Sequence, residues 1–452
     1  MSFPRYPKYK DSGVEWLGQV PMHWHVMPLK RAVHDFYSGG TPDTDNDQFW
    51  SAEETAVQWV AIADMTRSPV VQYTEKRLTA AGIASKRLRI LAEGTVLFSM
   101  YASLGKVATL GVPACINQAI LAFTPSESVL GNAFLRYWLV QIEQHLGLFS
   151  SSNTQANLNA EKVRSLPLFI PSLREQIAIA AFLDRETAKI DALVAEQERL
   201  ITLLMEKRQA VISHAVTKGL NPNAPMKDSG VEWIGKVPSH WGIERCGRHA
   251  SVVSGFAFPS AGFSSEPSLP KLLRGVNVGV GTLRWDDVVY WQRSEGDELD
   301  PYVLKEGDVV IGMDRPLIAQ GVRVAEVTRA DLPCLLLQRV ASVRPRGRLQ
   351  IRYLKLLLGS PMFAAHFSPD TTGVSVPHIS PEQIMDFVVP VPTVPEQDLL
   401  VRHVENVVAE CNALVAEAQR AIDLFLERRT ALISAAVTGQ IDVRPESMRT
   451  AA

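Results

Sequence analysis

The sequence predicts an α+β protein in which two mixed helix and strand domains are separated by two long antiparallel helices that form a coiled coil. Three observations predict this fold. The motif KDSGVEW[LI]G, followed by Pro and His-Trp, occurs at 10–24 and again at 227–241. A second motif runs from Glu-Gln to an Ala-Val-Thr exit, at 175–219 and again at 396–439. Short β-branched runs fill the intervals, which share little identity. The chain therefore carries a pseudo-twofold internal repeat.

Length and composition limit the classes of protein to which the chain can belong. At 452 residues and 46% hydrophobic content, two to four domains with sizeable cores are expected. The net charge of −2 does not by itself indicate nucleic-acid binding. Apolar runs stay well below the ~18 residues of a membrane span, and the N-terminus has no signal pattern, so no membrane partner and a cytoplasmic location are expected. The four cysteines are scattered, which predicts core residues rather than a zinc site or disulfides.

The first domain is predicted at 1–168 and the second at 220–390. Each contains short β-branched runs bounded by Gly and Pro, which indicate strands. These runs are 58–62, 95–98, 106–110, 308–311 and 323–327. The segments 134–139 and 352–357 have the apolar pattern of helices.

The first long helix is predicted at 169–219 and the second at 391–445. Ser172 with Glu175, and Thr393 with Glu396, have the spacing of a capping box, and Gly219 and Gly439 are the expected stops. Apolar residues that recur at alternating intervals of three and four residues predict a single buried seam on each helix. The predicted seam residues are Ile179, Leu183, Glu186, Ile190, Leu193, Gln197, Leu200, Leu204 and Val211, and then Leu400, Val404, Val407, Cys411, Leu414, Ala418, Ala421, Phe425 and Leu432.

Helices of about forty residues, or about 60 Å, are too long for the inside of one compact domain. With one apolar stripe each, they bury most surface by pairing with one another. An antiparallel pair with one domain at each end is the expected arrangement. The alternative is two independent domains, each with its own C-terminal helix packed locally.

Motifs that would make the chain an enzyme are missing from the sequence. There is no GxxxxGK[ST] loop for ATP, no GxGxxG loop behind a strand, and no NPP[YF] or DPP[YF] tetrapeptide. HExxH and GxSxG are also missing. His23 and His240, with the tryptophans beside them, lie inside the repeated motif and are expected to pack and cap rather than to catalyse.

The ordered, duplicated set of motifs resembles the specificity subunit of a type I restriction-modification system. The strand entries Glu93-Gly94-Thr95 and Glu306-Gly307-Asp308 resemble a strand of the family's target-recognition domains, and Asn117-Gln118 and Gln338-Arg339 resemble its N-Q-R step. The resemblance covers essentially the whole chain.

The resemblance implies a non-catalytic protein that recognises double-stranded DNA. Each variable domain would bind one half of an asymmetric bipartite site, and the paired helices would act as spacer and docking surface. Two DNA adenine methyltransferase subunits and the restriction subunits would be the partners. S-adenosylmethionine, ATP and Mg would belong to those partners, and no cofactor is expected on this chain.

Four polar loops are the candidate DNA-contacting segments. Base edges are recognised by Arg or Lys, Asn or Gln, and small hydroxyls, and loops are where such residues concentrate. Basic clusters at 76–89 and 344–352 add local positive charge, although either could be a solvated face. The candidate DNA-binding residues are Ser99, Tyr101, Ser103, Lys106, Asn153, Thr154, Gln155 and Asn157 in the first domain, and Asp314, Arg315, Gln320, Arg323, Thr372, Ser375 and His378 in the second.

Two other classes of function stay open at the level of sequence. A coiled-coil scaffold without nucleic acid would suit the near-neutral charge, but polar, divergent loops argue against it. A standalone methyltransferase or nuclease would require catalytic motifs, and binding of S-adenosylmethionine by the isolated chain would support it.

Overall fold

The structure is a computed structural model that describes residues 3–101, 103–148, 158–318, 320–371 and 378–445. The chain divides into two compact units. Unit 1 is formed by Met1–Glu196 together with Ala421–Ala452, and unit 2 by Gln197–Arg420. The boundaries at 168, 219 and 390 mark segments along the sequence. Each compact unit instead combines one mixed domain with parts of both long helices.

The strands of unit 1 are short and mostly antiparallel. Two sheets have the orders β4-β12-β9-β10-β7 and β11-β6-β8-β5, and β1-β2 and β3-β13 form separate pairs. The strands are β1 (Tyr9–Asp11), β2 (Gln19–Pro21), β3 (His25–Pro28), β4 (Val33–Ser38), β5 (Trp50–Ser51), β6 (Val57–Val60), β7 (Val70–Val71), β8 (Lys76–Leu78), β9 (Val96–Ser99), β10 (Val107–Leu110), β11 (Ala114–Ile116), β12 (Ile120–Pro125) and β13 (Pro167–Ile170).

Unit 2 repeats the central part of this arrangement. Its main sheet has the order β17-β24-β19-β22, with β18-β23, β14-β15, β16-β25 and β20-β21 as separate pairs. The strands are β14 (Met226–Asp228), β15 (Lys236–Pro238), β16 (Gly242–Arg245), β17 (Ala250–Ser254), β18 (Lys271–Leu273), β19 (Val309–Gly312), β20 (Leu317–Ile318), β21 (Gly321–Val322), β22 (Val324–Glu326), β23 (Cys334–Leu336), β24 (Val340–Pro345) and β25 (Val388–Val391).

The central strands of the two units correspond. In unit 1, β9 lies between β12 and β10, and in unit 2, β19 lies between β24 and β22. The fold class and the internal repeat predicted from the sequence are therefore confirmed. Large aromatic side chains fill both cores, including Trp24, Trp138 and Phe169 in unit 1 and Trp241, Tyr353 and Phe387 in unit 2.

The helices comprise seven short segments and two long ones among the described residues. The short helices are α1 (Ile62–Arg67), α2 (Ala80–Ser85), α3 (Asn132–Glu143), α4 (Ala160–Arg164), α6 (Ile351–Leu358), α7 (Pro361–Thr371) and α8 (Pro381–Asp386). The long helices are α5 (Leu173–Lys218) and α9 (Val394–Val437). Gly219 and Gly439 follow them with φ of 71° and 73°, a left-handed conformation that glycine adopts at little cost. The predicted stops are confirmed.

Within each unit, the two long helices run antiparallel. In unit 1, Asp191 of α5 accepts a hydrogen bond from Arg429 of α9 (2.9 Å), and Leu183 shares the core with Ile433. In unit 2, Arg208 of α5 donates to Asn412 of α9 (3.4 Å), and Val216 shares the core with Leu400 and Val404. In both units the position on α9 falls as the position on α5 rises, as the sequence predicts.

The predicted seam is wrong at three leucines. Leu193, Leu200 and Leu414 are exposed, whereas the next residue along each helix, Val194, Ile201 and Val415, is partly buried. The covered positions of α5 follow 183, 187, 190, 194, 197, 201 and 204, which alternates steps of four and three. The periodicity of the sequence does not distinguish each leucine from the β-branched residue beside it, and the packing selects the β-branched residue.

The repeated motifs meet at the N-terminal ends of the long helices. Glu175 accepts hydrogen bonds from Trp24 Nε1 (3.1 Å) and Tyr6 Oη (2.6 Å) and contacts His23 Nε2 (2.9 Å). In the second copy, Glu396 accepts from Trp241 Nε1 (2.9 Å) and contacts His240 Nε2 (3.1 Å). The capping-box prediction is therefore wrong for the glutamates, whose carboxylates bind distant side chains. The packing role predicted for the His-Trp pairs is confirmed for Trp24 and Trp241, which are buried, whereas His23 and His240 are exposed and contact the glutamates.

The glutamine of each Glu-Gln pair joins the helix to its mixed domain. Gln176 accepts from the Gly131 amide (2.9 Å) and donates to the Pro171 carbonyl (3.0 Å). Gln397 accepts from the Gln350 amide (2.9 Å) and donates to the Pro392 carbonyl (3.0 Å). Both glutamines are buried, so these bonds satisfy backbone groups that water does not reach.

Candidate nucleic-acid interface

In unit 2, three chain segments meet where β19 ends. The Met313 amide donates to the Arg339 carbonyl (2.9 Å), and the Ile379 amide donates to the Met313 carbonyl (2.9 Å). The segments are the loop 313–323, the turn Gln338-Arg339 and the chain that resumes at His378. Two of them are loops that the sequence predicts for DNA contact. The third is the Gln338-Arg339 landmark, which lies outside the four polar loops predicted for DNA contact.

Unit 1 has the same arrangement where β9 ends. The Met100 amide donates to the Ala119 carbonyl (2.8 Å), and the Leu158 amide donates to the Met100 carbonyl (3.4 Å). Met100 thus corresponds to Met313, Ala119 to Arg339 and Leu158 to Ile379. We call each set of three segments the loop platform of its unit.

The predicted residues of the unit 1 platform have different surroundings. Tyr101 and Ser103 are exposed, and Ser103 has a φ of 64°. Lys106 is exposed and pairs with Glu143 (2.6 Å). Ser99 is fully buried, and its hydroxyl donates to the Ser103 carbonyl (2.5 Å) and accepts from the Lys106 amide (2.9 Å). Ser99 therefore holds the turn, and its burial is a correction to its place among the exposed candidates.

In the unit 2 platform, Asp314 is the central group. Its Oδ1 contacts His378 Nδ1 (2.8 Å) and Arg339 Nη1 (3.4 Å). Arg315 is exposed with a φ of 45°, and within the described ranges it has no ion-pair partner. Gln320 is exposed, and its carbonyl accepts from Arg208 (3.4 Å). The platform therefore presents a cluster of positive and hydrogen-bonding side chains.

Arg323 supports the platform through hydrogen bonds from its side chain to backbone carbonyls. Its guanidinium donates to the Val278 carbonyl (2.9 Å) and the Asp314 carbonyl (2.9 Å). Burial lowers the pKa of Arg323 from its ordinary value, and the positive charges of Arg284 and Arg315 act in the same direction. Two of its donor groups bind backbone carbonyls, so Arg323 positions the loop, and its contact with DNA stays a prediction.

The remaining predicted residues lie outside the described part of the chain. They are Asn153, Thr154, Gln155, Asn157, Thr372 and Ser375.

Gln118 is a candidate contact in unit 1 that the sequence-based set omitted. It is exposed, its Oε1 accepts from the Thr41 hydroxyl, and its carbonyl accepts from Ser38 Oγ (3.0 Å). These bonds orient an amide of the kind that recognises adenine. The signal that could have found both Gln118 and Arg339 is the repeated Asn-Gln and Gln-Arg step.

The two basic clusters differ in their surroundings. In unit 1, Lys76 lies over the Trp50 ring, Arg77 over Tyr73 and Arg89 over Tyr37, each 4.9 Å from the ring centroid. Lys76 is exposed and suits a phosphate contact, whereas Arg77 is buried and Arg89 also pairs with Asp35 (2.6 Å). In unit 2, the arginines of the cluster are largely paired with carboxylates: Arg344 with Asp308, Arg348 with Glu244, and Arg352 with Glu405. The second cluster is thus mainly a structural ion-pair network.

The cysteines are buried, and burial raises the pKa of Cys115 to about 11 and those of Cys246 and Cys334 to about 12. Over the residues that the structure describes, no group of His, Cys, Asp and Glu could hold a metal ion. None of the described helices has the length and apolar character that a membrane span requires.

Residues 24–202 match the model of the type I restriction modification DNA specificity domain. That stretch includes the unit 1 platform, and relatives of the same kind match other parts of the chain. The chain therefore contains a type I restriction modification DNA specificity domain and is similar to type I restriction enzyme specificity subunits.

Three of these relatives illustrate the range of the similarity. The EcoAI specificity subunit of Escherichia coli is 30% identical over 53% of this chain, and the chain spans only 40% of that relative. The MjaVIII specificity subunit of Methanocaldococcus jannaschii is 22% identical over 94% of this chain and 95% of the relative. A solved chain from a type I R-M system has 16% identity, a TM-score of 0.64 and coverage of 93% of this chain and 99% of its own length, which supports the fold.

Proposed function

We propose that this chain is a specificity subunit that recognises an asymmetric, bipartite double-stranded DNA site, with one loop platform on each half-site. The observation that carries the proposal is the pair of platforms built by matching backbone hydrogen bonds but presenting different side chains. Tyr101 and Ala119 of unit 1 correspond to Asp314 and Arg339 of unit 2. Scaffolds with matching backbone hydrogen bonds but unlike contact residues suit a protein that recognises two different sequences.

In this proposal the chain also assembles two DNA adenine methyltransferase subunits and the restriction subunits. Exposed leucines on the long helices support a docking role, since large apolar side chains open to solvent often mark protein contacts. These residues are Leu193, Leu200, Leu203, Leu414, Leu424 and Leu426. The chain itself is non-catalytic, and the partners supply S-adenosylmethionine, ATP and Mg chemistry.

The test is DNA binding by the chain alone and by the chain co-purified with its methyltransferase. The net charge of −2 leaves little positive charge for phosphates, and phosphate contacts dominate nonspecific affinity. We expect weak binding by the lone chain and a steeper salt dependence for the complex, measured by gel shift at several salt concentrations. Equal affinity and equal salt slope would contradict the partner's contribution.

Two other functions give different results in the same experiment. A coiled-coil scaffold without nucleic acid would show no sequence preference in either form. A standalone methyltransferase would bind S-adenosylmethionine as the isolated chain, which isothermal titration calorimetry would detect.

A further inference from the structure

Arg339 and Arg315 are the two exposed platform arginines of unit 2 with positive φ among the described residues, and Arg339 is the one whose guanidinium is oriented by Asp314. Its backbone has a φ of 71°, which costs free energy for a residue other than glycine and is characteristic of functional positions. Its carbonyl is held by the Met313 amide at 2.9 Å. The start of the side chain is therefore fixed at the end of β19, while 58% of the side chain remains exposed.

The guanidinium of Arg339 is oriented but not saturated. Its Nη1 lies 3.4 Å from Asp314 Oδ1, which is a single, long contact. By contrast, Arg352 and Arg344 each engage their carboxylate partner through two nitrogens. A guanidinium has five N–H donors, so Arg339 retains enough donors for two further parallel hydrogen bonds.

We propose that Arg339 recognises a guanine in the half-site bound by unit 2, and that Asp314 positions it. This inference rests on the proposed DNA-recognition function. Arginine donates two parallel hydrogen bonds to O6 and N7 of guanine in the major groove, a pattern that no other base presents. Asp314 can fix the position of the Arg339 guanidinium because Asp314 is itself held in place. Its carboxylate also contacts His378 at 2.8 Å, and its backbone carbonyl accepts a hydrogen bond from Arg323.

Unit 1 lacks this pair. Ala119 stands where unit 2 has Arg339, and Tyr101 stands where it has Asp314. Gln118 and Gln338 are shared, so the arginine and carboxylate are the difference between the two platforms at this turn. The guanine contact made by Arg339 therefore belongs to the half-site bound by unit 2.

The experiment is selection of bound duplexes from a randomised DNA pool by the complex of the full chain and its methyltransferase. We expect the wild-type complex to require guanine at one position of one half-site. Arg339→Ala should reduce that preference at least about tenfold and leave the other half-site unchanged. Arg339→Lys keeps the charge but not the planar fork that donates two parallel hydrogen bonds, so it should weaken the preference at the same position, which keeps the test informative even if the alanine variant folds poorly.

Four further variants make the result specific. Gln118→Ala should alter only the other half-site, which assigns the halves to the units. Asp314→Ala should relax the same guanine position as the Arg339 variants, and Asp314→Glu should restore the preference in part. Arg245→Gln removes an exposed arginine that pairs with Asp386 outside the platform, and should change no base preference.

A uniform loss of affinity in the Arg339 variants, with the base preference intact, would overturn the inference and make Arg339 a phosphate contact. A wild-type complex that selects no sequence at all would instead refute the proposed function.

Discussion

In each copy, one glutamate joins the two repeated motifs by hydrogen bonds: Glu175 in the first copy and Glu396 in the second. The two glutamates differ in how far they are buried. Glu175 has 4% of its side chain exposed, whereas Glu396 has 28% exposed. The difference comes from Tyr6, which covers Glu175 and donates to it, while the second copy has Asn223 at the matching sequence position. Burial and the nearby Glu175 carboxylate raise the pKa of Tyr6 well above its ordinary value, so this donor stays protonated.

Replacing these glutamates should therefore have unequal effects. Glu175→Ala leaves the Tyr6 hydroxyl and the Trp24 N–H buried without an acceptor, and should lower the free energy of unfolding of unit 1 by about 2–4 kcal/mol. Glu396→Ala is the matched control, and should cost about 1 kcal/mol because water can reach the site. Hydrogen exchange followed separately in the two units measures both. Equal losses would show that the Tyr6 contact adds no stability.

At the scale of elements, the long helices connect the units along the chain. Helix α5 has 46 residues and α9 has 44, and each begins in one unit and ends in the other. Their pairing within each unit depends on steps of four and three along the buried seam. An insertion that keeps the buried positions of the two helices facing each other should be tolerated. An insertion that shifts these positions in only one helix should not be tolerated.

Four residues inserted after both Glu196 and Glu417 should lengthen the gap between the half-sites. The insertion adds ~6 Å to each helix, close to two base-pair steps of ~3.4 Å. It rotates each helix by a net ~40°, whereas two base pairs rotate DNA by roughly 70°. DNA twisting must absorb the difference of about 30° at modest cost. We expect unchanged half-sites, a gap longer by one or two base pairs, and weaker binding.

Sequencing of methylated DNA from cells that express the insertion mutant measures the gap. Insertion in only one helix is the control, and should destabilise the pair because the seams no longer match. If the double insertion kept the original gap but altered the bases, the helices would not determine the spacing.

At the scale of the whole molecule, the main feature is that the two units share a strand arrangement but differ in their loop side chains. A symmetric dimer recognises a palindrome because its two contact surfaces are the same. Here the backbone hydrogen bonds of the platforms match, but the unit 2 loop is longer and adds the hairpin β20-β21. The two surfaces therefore differ in both shape and side chains.

The recognised site should accordingly be interrupted and asymmetric. Mapping methylated adenines across the genome of the host would give the motif directly. A variant in which residues 99–106 are replaced by residues 312–323 tests the cause, since it should change one half-site only. A continuous or palindromic motif for the wild-type protein would contradict the prediction.

The sequence by itself determined the features that depend on neighbouring residues. The repeat, the strand runs, the two long helices and their glycine stops are all encoded in contiguous segments, where backbone conformation and periodicity act locally. The motifs that the two copies share also sufficed to indicate the resemblance to type I specificity subunits.

Only the tertiary structure decided which distant groups meet. Glu175 fits a capping box by spacing, yet its carboxylate binds Trp24, a residue 151 positions away. Ser99 and Arg323 look like surface candidates, but the hydrogen bonds of the turn and of the loop use their polar atoms. Arg339 belongs to the platform because the Met313 amide donates a hydrogen bond to its carbonyl. Long-range hydrogen bonds depend on how segments pack, and local patterns along the chain do not encode that packing.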